Sequence, residues 1–165
     1  MLELGCGTGT TAITLAPGVA RYRATDISPG MIDIAKAKGA EADRNNLSFA
    51  VANAADVDAD GPFAAVLAYS LLHLMGDVPA TLAAIRDQLK PGGRLICKTV
   101  CLDEANVAIR WFVKALRLIG VAPQVTFLSQ TQLEGMIEAA GFRIETRRHF
   151  SAKGINPFIT ARRAD

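Results

Sequence analysis

Little in this chain is suited to disulfide bonding, membrane insertion or nucleic-acid binding. Its 165 residues contain only three cysteines, Cys6, Cys97 and Cys101, an odd number that makes no disulfide framework. No Cys-x-x-Cys or Cys/His cluster offers metal ligands, so no metal is expected. The start of the chain lacks a basic, then apolar, then small-residue signal, and no apolar run approaches the ~18 residues of a membrane span. These absences make a reduced, cytoplasmic protein without a membrane partner the expectation. The formal net charge is only +2, too small to imply nucleic-acid binding by itself. Repeats, low-complexity tracts and linkers are also missing.

Half of the residues are hydrophobic and 21% are charged, which suits a single folded domain with a continuous core. The pattern along the chain alternates strands with helices. Residues 1–4 form a first strand, followed by Gly5-Cys6-Gly7-Thr8-Gly9 and a helix from Thr10 to Ala16 that ends at Pro17-Gly18. Arg21 to Thr25 is a second strand closing on Asp26. Ser28 caps a helix from Pro29 to Lys38, with Gly39 as its stop. Leu47 to Ala52 and Phe63 to Tyr69 are the third and fourth strands, too close together for more than a short crossover helix. Val78 to Leu89 is helical and is followed by the turn Lys90-Pro91-Gly92-Gly93. Arg94 to Val100 is an almost wholly apolar fifth strand. A helical pattern covers 105–119. Ser129-x-x-Gln132 opens a capping-box helix that runs to Ala140 and stops at Gly141. Phe142 to Arg148 and Phe158 to Ala161 make a closing antiparallel pair.

Seven strands alternating with helices predict a three-layer α/β sandwich, its sheet mostly parallel. Right-handed crossovers bring the C-terminal ends of the parallel strands to one edge. Gly5, Asp26, Asn53 and Tyr69 all end strands, so they are expected to converge on one site. A glycine-rich turn after the first strand, with outward-pointing amides at the next helix start, predicts a nucleotide-type crevice.

The run Leu2-Glu3-Leu4-Gly5-Cys6-Gly7-Thr8-Gly9 resembles the first motif of the Rossmann-like (class I) S-adenosylmethionine-dependent methyltransferases. That resemblance implies a seven-stranded sheet with the last strand antiparallel, S-adenosyl-L-methionine as cofactor, and methyl transfer by direct displacement. It also implies a set of cofactor-binding positions: Gly5, Cys6, Gly7, Thr8 and Gly9 in the loop, and Glu3 beside the ammonium-bearing methionine end. A structural ion pair is the competing role for Glu3, since a buried carboxylate needs a partner. Asp26 matches the acidic residue that accepts hydrogen bonds from both ribose hydroxyls, against a plain helix-capping role that Ser28 already fills. Ile27 follows it, and Met31 matches an apolar position near the adenine. Asn53 stands where the family usually has Asp facing the adenine amino group, keeping a carbonyl acceptor but not the charge. Ala54 would donate its amide there, while Asp56 reads as a solvated charge. Tyr69 and Ser70 match the backbone that receives the methionine end. His73 is a candidate general base, set against the alternative of a packed or capping histidine. Phe63-Ala64-Ala65 lacks an aspartate often found after that phenylalanine.

The acceptor side is less legible. No Asn/Asp-Pro-Pro-aromatic sequence follows the fourth strand, so a small-molecule acceptor is expected rather than nucleic acid. Arg110, Lys114 and Arg117 form a narrow stripe beside Trp111, Phe112, Leu116, Leu118 and Ile119. This makes 102–128 a candidate lid or interface insertion, the wide apolar arc favouring a substrate-pocket lid over a homodimer surface or a membrane-facing helix. Arg143, Arg147 and Arg148 read as solvated strand charges, with attraction of an anionic substrate as the alternative. Related enzymes have a cap segment before the first strand, whereas Met1 falls within it here. That leaves two other functions open: a truncated or degenerate methyltransferase fold serving as a binding or assembly module, and an NAD-dependent oxidoreductase, which Thr10 at the third glycine position disfavours.

Overall fold

A computed structural model describes residues 1–54, 61–101, 126–150 and 156–164. Its elements are β1 (Leu2–Leu4), α1 (Thr10–Leu15), β2 (Tyr22–Asp26), α2 (Pro29–Glu41), β3 (Leu47–Val51), β4 (Phe63–Tyr69), α3 (Val78–Gln88), β5 (Leu89–Lys98), α4 (Gln130–Ala139), β6 (Phe142–His149) and β7 (Pro157–Arg163). The seven strands form one sheet in the order β3-β2-β1-β4-β5-β7-β6. The pairs from β3 through β5 are parallel, and β7 runs antiparallel to both β5 and β6. This is the expected architecture, with the antiparallel last strand inserted between β5 and β6.

Alternation on β1 explains the two layers around the sheet. Leu2 and Leu4 enter a large core with Leu82, Ile85, Leu95, Leu133, Ile137 and Ile159, drawn from α3, α4, β5 and β7. Glu3 points to the other face, in register with Ala24 of β2. There a second cluster joins Ala12, Ala16, Tyr22, Ala24 and Ile32, from α1, the turn after it, β2 and α2. Each fully buried Leu or Ile contributes ~1.5–3 kcal/mol. An exposed pair such as Arg86–Asp87 adds ~0–1 kcal/mol, so helix-on-sheet packing holds the fold.

The helix starts follow the sequence. Ser28 caps α2 by accepting from the Met31 amide, and Asp77 caps α3 by accepting from Ala80. The Ser129/Gln132 capping box forms in both directions at α4. Several boundaries differ. The first helix gives way to a 3-10 turn over Ala16–Gly18. Gly39 does not stop α2, which continues to Glu41. A Cβ at Gly39 would lie 2.8 Å from Phe49 Cε2, so glycine is there to let α2 sit against β3. Lys90–Gly93 is not a free turn either. Leu89 already pairs with Phe63, and the extra residues bulge within β5, with Gly92 at φ 68°, before Ala65 pairs with Arg94. Arg143, Arg147 and Arg148 are all exposed, and Arg147 also pairs with Glu134 of α4 at 2.9 Å. The 105–119 helix, with Trp111 and its basic stripe, and Asp56 lie outside the described residues.

Candidate functional site

The register brings the C-terminal ends of β1, β2 and β4 level, because Leu4 pairs with both Thr25 and Ala68. The chain leaves each strand at that edge. Gly5, Gly7 and Gly9 all take positive φ (69°, 53° and 76°), a conformation that costs other residues strain. The loop between them is tied down from β2. Cys6 N donates to Thr25 O at 2.9 Å, and Gly7 N donates to Asp26 Oδ2 at 2.8 Å. The other Asp26 oxygen, Oδ1, accepts from Ser28 N at 2.9 Å. Asp26 is therefore already a loop anchor, with lone pairs left for a ligand.

A cleft of about 400 Å³ opens against these residues. Gly5, Asp26, Ile27, Asn53, Ala54 and Ser70 line it, all of them anticipated, together with Ala52, Leu71, Leu74 and Met75, which were not. Leu71 closes tightly on the loop, since a Cβ on Gly5 would lie 3.0 Å from its Cδ1. Only that glycine's need for space hints at Leu71 in the sequence. At Gly9 a Cβ would strike Phe49 and Ala35 at 2.8–2.9 Å, so this glycine seats the loop on α2 and β3. Gly7 has no heavy atom within 4 Å of its Cβ position, leaving an open approach to the backbone. Ser70 holds φ 52°, an uncommon conformation for a non-glycine residue, and its amide donates to Lys98 O at 2.7 Å.

Glu3, Cys6, Gly7, Thr8, Gly9, Met31, Tyr69 and His73 are not among the residues that line the cleft. Thr8 Oγ1 accepts from Lys38 Nζ at 3.3 Å. Met31 is 43% exposed on α2, and Ile27 at the rim is 71% exposed. The Tyr69 ring lies 6.0 Å from that of Phe158. His73 is half-buried in a 3-10 turn between the lining residues Leu71 and Leu74, and its sealed Nδ1 has no hydrogen-bond partner. Burial lowers its pKa, which favours the neutral imidazole. Its carbonyl accepts from Thr126 N at 2.7 Å, and Thr126 Oγ1 donates to Met75 O, so the start of the 126–129 segment is fastened to this turn.

Beneath the loop the electrostatics are dominated by burial. Glu3 is 3% exposed, and its Oε2 accepts from the Tyr22 hydroxyl at 2.8 Å. This corrects the ion-pair expectation, because the partner is a neutral phenol. Desolvation pushes the Glu3 carboxyl up to about 7, with the Tyr22 hydrogen bond pulling the other way. Burial, and then the Glu3 charge, raise the Tyr22 and Tyr69 hydroxyls. The Cys6 thiol is pushed up to about 12, first by burial and then by Glu3 and Asp26, so it is no nucleophile.

A strand-end cleft, a glycine loop with one open backbone position, and a carboxylate anchored across from them can receive a nucleoside with a charged tail. The family model described as a methyltransferase domain matches residues 1–93. The chain belongs to that family.

Two relatives extend the likeness beyond the cofactor half of this methyltransferase domain. The ubiquinone biosynthesis O-methyltransferase of Xylella fastidiosa (strain 9a5c) is 28% identical over 151 residues, covering 88% of this chain and 61% of its own length. The demethylmenaquinone methyltransferase of Symbiobacterium thermophilum is 30% identical over 174 residues, covering 88% and 68% respectively. The chain thus spans under two thirds of the Xylella enzyme. The magnesium protoporphyrin IX methyltransferase of Synechocystis PCC 6803, solved with bound SAH, superposes with a TM-score of 0.76 at 20% identity, covering 99% of this chain and 73% of that one.

Proposed function

We propose that this domain binds S-adenosylmethionine in the strand-end cleft and transfers its methyl group to a small-molecule acceptor. The observation that carries this is the Asp26 carboxylate, which is held by Gly7 N and Ser28 N and lines the strand-end cleft beside the glycine loop. The residues fit the cofactor in kind. Asp26 retains acceptor capacity for two ribose hydroxyls, and hydrogen bonds to a charged group contribute ~1.5–3 kcal/mol. Ile27, Ala54, Leu71, Leu74 and Met75 give apolar walls suited to a purine, and Asn53 supplies a polar group beside them. Met31, exposed on α2, is the further candidate for the adenine side. Gly5 through Gly9, Tyr69 and Ser70 present backbone toward the amino-acid end.

When bound, the cofactor supplies a methyl group activated on a sulfonium. The protein's task is then alignment of the acceptor, which can lower the barrier by ~7–11 kcal/mol. His73, neutral and beside the cleft wall, is the candidate for taking a proton from the acceptor. The relatives named for ubiquinone and menaquinone support a small molecule as acceptor.

Calorimetric titration of the full chain tests the reading. S-adenosylmethionine is expected to bind with a Kd on the order of micromolar, NAD is expected not to bind, and Asp26→Ala should abolish the heat of binding. Absence of binding to the wild-type chain would overturn the proposal and favour a binding or assembly role.

A further inference from the structure

At the sheet edge opposite the cleft, Arg94 of β5 pairs with Arg162 of β7, and Arg162 pairs with Arg143 of β6. Directly paired residues on neighbouring strands project from the same face, so three guanidinium side chains stand in one row. Like charges directly opposite one another destabilise a sheet. Among the described residues, the carboxylate that answers them is Glu145, at the bulge in β6. It is engaged mainly by Arg94, whose Nε donates to Oε2 at 2.8 Å, while Arg162 Nε lies 3.7 Å from Oε1. Arg143 makes no hydrogen bond or ion pair with a described residue, and reaches Glu145 only through its field. The row therefore carries more positive charge than its own strands compensate.

Arg143 and Arg162 also line a surface cavity of about 260 Å³, together with Gly92, Arg163 and Ala164, and no carboxylate among the described residues joins them. The lining is held from behind. Gly92 takes φ 68° in the β5 bulge, and its carbonyl accepts from Arg162 Nε at 3.2 Å. Arg163 Nη1 donates to Arg86 O, near the end of α3, at 2.9 Å. Both Nη groups of Arg162, and Nε and Nη2 of Arg163, are left without a partner among the described residues. Two guanidinium planes are thus fixed before a ligand arrives, which reduces the side-chain freedom lost on binding. Each guanidinium presents its donors as a planar fork that matches the oxygens of a phosphate or a carboxylate. Three forks around one cavity exceed what a single planar carboxylate can accept. A tetrahedral dianion offers oxygens on every side and twice the charge.

We propose that this cavity is a second binding site, which takes a small phosphate or phosphomonoester dianion between Arg143, Arg162 and Arg163. It is separate from the cofactor cleft and does not rest on the S-adenosylmethionine reading. Arg94 stands at the same edge as the cavity, whereas Lys98, further along β5, gives its carbonyl to Ser70 N in the cleft wall. Those four residues of strand span about 13 Å. A bound dianion offsets the repulsion along the arginine row, so occupancy stabilises the β5-β7-β6 part of the sheet. The run Lys90–Gly93 gains a role in this arrangement, because its bulge sets the Gly92 carbonyl against Arg162.

The test is titration calorimetry of the full chain in low-salt buffer at pH 7.5, with inorganic phosphate, glycerol 3-phosphate and acetate as probes. At least one phosphate is expected to bind with a Kd below roughly 1 mM and to raise the Tm, and acetate at equal ionic strength to do neither. Tighter binding of inorganic phosphate assigns the free anion, and tighter binding of glycerol 3-phosphate assigns the phosphomonoester. Arg143 is exposed, so its replacement tests the site without disturbing the core. Arg143→Gln should weaken phosphate binding roughly tenfold. Arg143→Lys should recover only part of that loss, because an ammonium keeps the charge and not the fork. Arg148→Gln removes one charge from the same strand away from the cavity, and should change the Kd by less than about twofold. Equal losses in Arg148→Gln and Arg143→Gln would make the attraction a diffuse field and overturn the site. Absence of binding by both phosphates, or equal binding of acetate, would overturn it as well, and each result leaves the cofactor cleft standing.

Discussion

Replacing Glu3 with glutamine is expected to stabilise the ligand-free domain, and only above the pH at which the wild-type carboxyl ionises in the unfolded chain. The native side chain titrates near 7 rather than at 4.5, because burial disfavours its charged form. Below about pH 4.5 both the folded and unfolded chains carry the proton, and the residue adds no pH-dependent cost. Between pH 4.5 and 7 the unfolded chain releases its proton while the folded chain keeps it, so stability falls as pH rises. Above 7 the full cost applies. At ~1.4 kcal/mol for each unit of pKa difference, that cost approaches ~3 kcal/mol. Glutamine cannot ionise, yet its carbonyl can still accept from the Tyr22 hydroxyl, which donates at 2.8 Å. Urea unfolding followed by far-ultraviolet circular dichroism, run on both chains at pH 4.5 and at pH 8, measures the effect. The variant should gain ~3 kcal/mol relative to wild type on going from the lower to the higher pH, with equal m-values. Other titrations cancel in the difference. A stability difference that is the same at both pH values would refute the argument that Glu3 is buried without a counter-charge.

Two packing predictions follow from single positions. Gly39→Ala should destabilise despite a better helix propensity: the gain is at most ~1 kcal/mol, while overpacking a Cβ 2.8 Å from Phe49 Cε2 costs ~1–3 kcal/mol. Thermal unfolding should show a lower Tm, restored in the double variant with Phe49→Leu. Ser129→Ala removes one half of the capping box at α4, and should cost ~1 kcal/mol in urea unfolding without altering ligand binding.

Much of this fold was legible because its signals are local. The β4 boundaries, the Ser28 cap and the Ser129/Gln132 box each depend on residues a few positions apart. The strand-end placement of Gly5, Asp26, Asn53 and Tyr69 followed from parallel connections alone. Errors arose where a residue answers to a partner distant in sequence. Gly39 looks like a helix stop, but it is small because Phe49 of β3 occupies the space above it. Lys90–Gly93 looks like a turn, but the pairing of Leu89 with Phe63 draws it into β5 as a bulge. Leu71, Leu74 and Met75 reach the cleft because the chain folds back in a 3-10 turn after β4, which no periodicity announces. Tyr22 shows the same limit. An aromatic residue in a buried strand reads as core, and only its hydroxyl, set against Glu3, sets it apart.

Two unfavourable residues share a location. A leucine in place of Glu3 would match its neighbours Leu2 and Leu4 and avoid a cost of ~3 kcal/mol at neutral pH. A glycine in place of Ser70 would relieve the positive φ at the end of β4. Both unfavourable residues lie within two positions of the strand ends that form the cleft. At the opposite edge the Met1 amino group donates to Arg21 O. Two unfavourable residues beside one cleft fit a ligand site, since function tolerates local destabilisation that the rest of the fold offsets. The glycine loop alone could be an ordinary turn. A carboxyl buried without a counter-charge in β1 and a serine at positive φ after β4, both at the same sheet edge, set it apart from one.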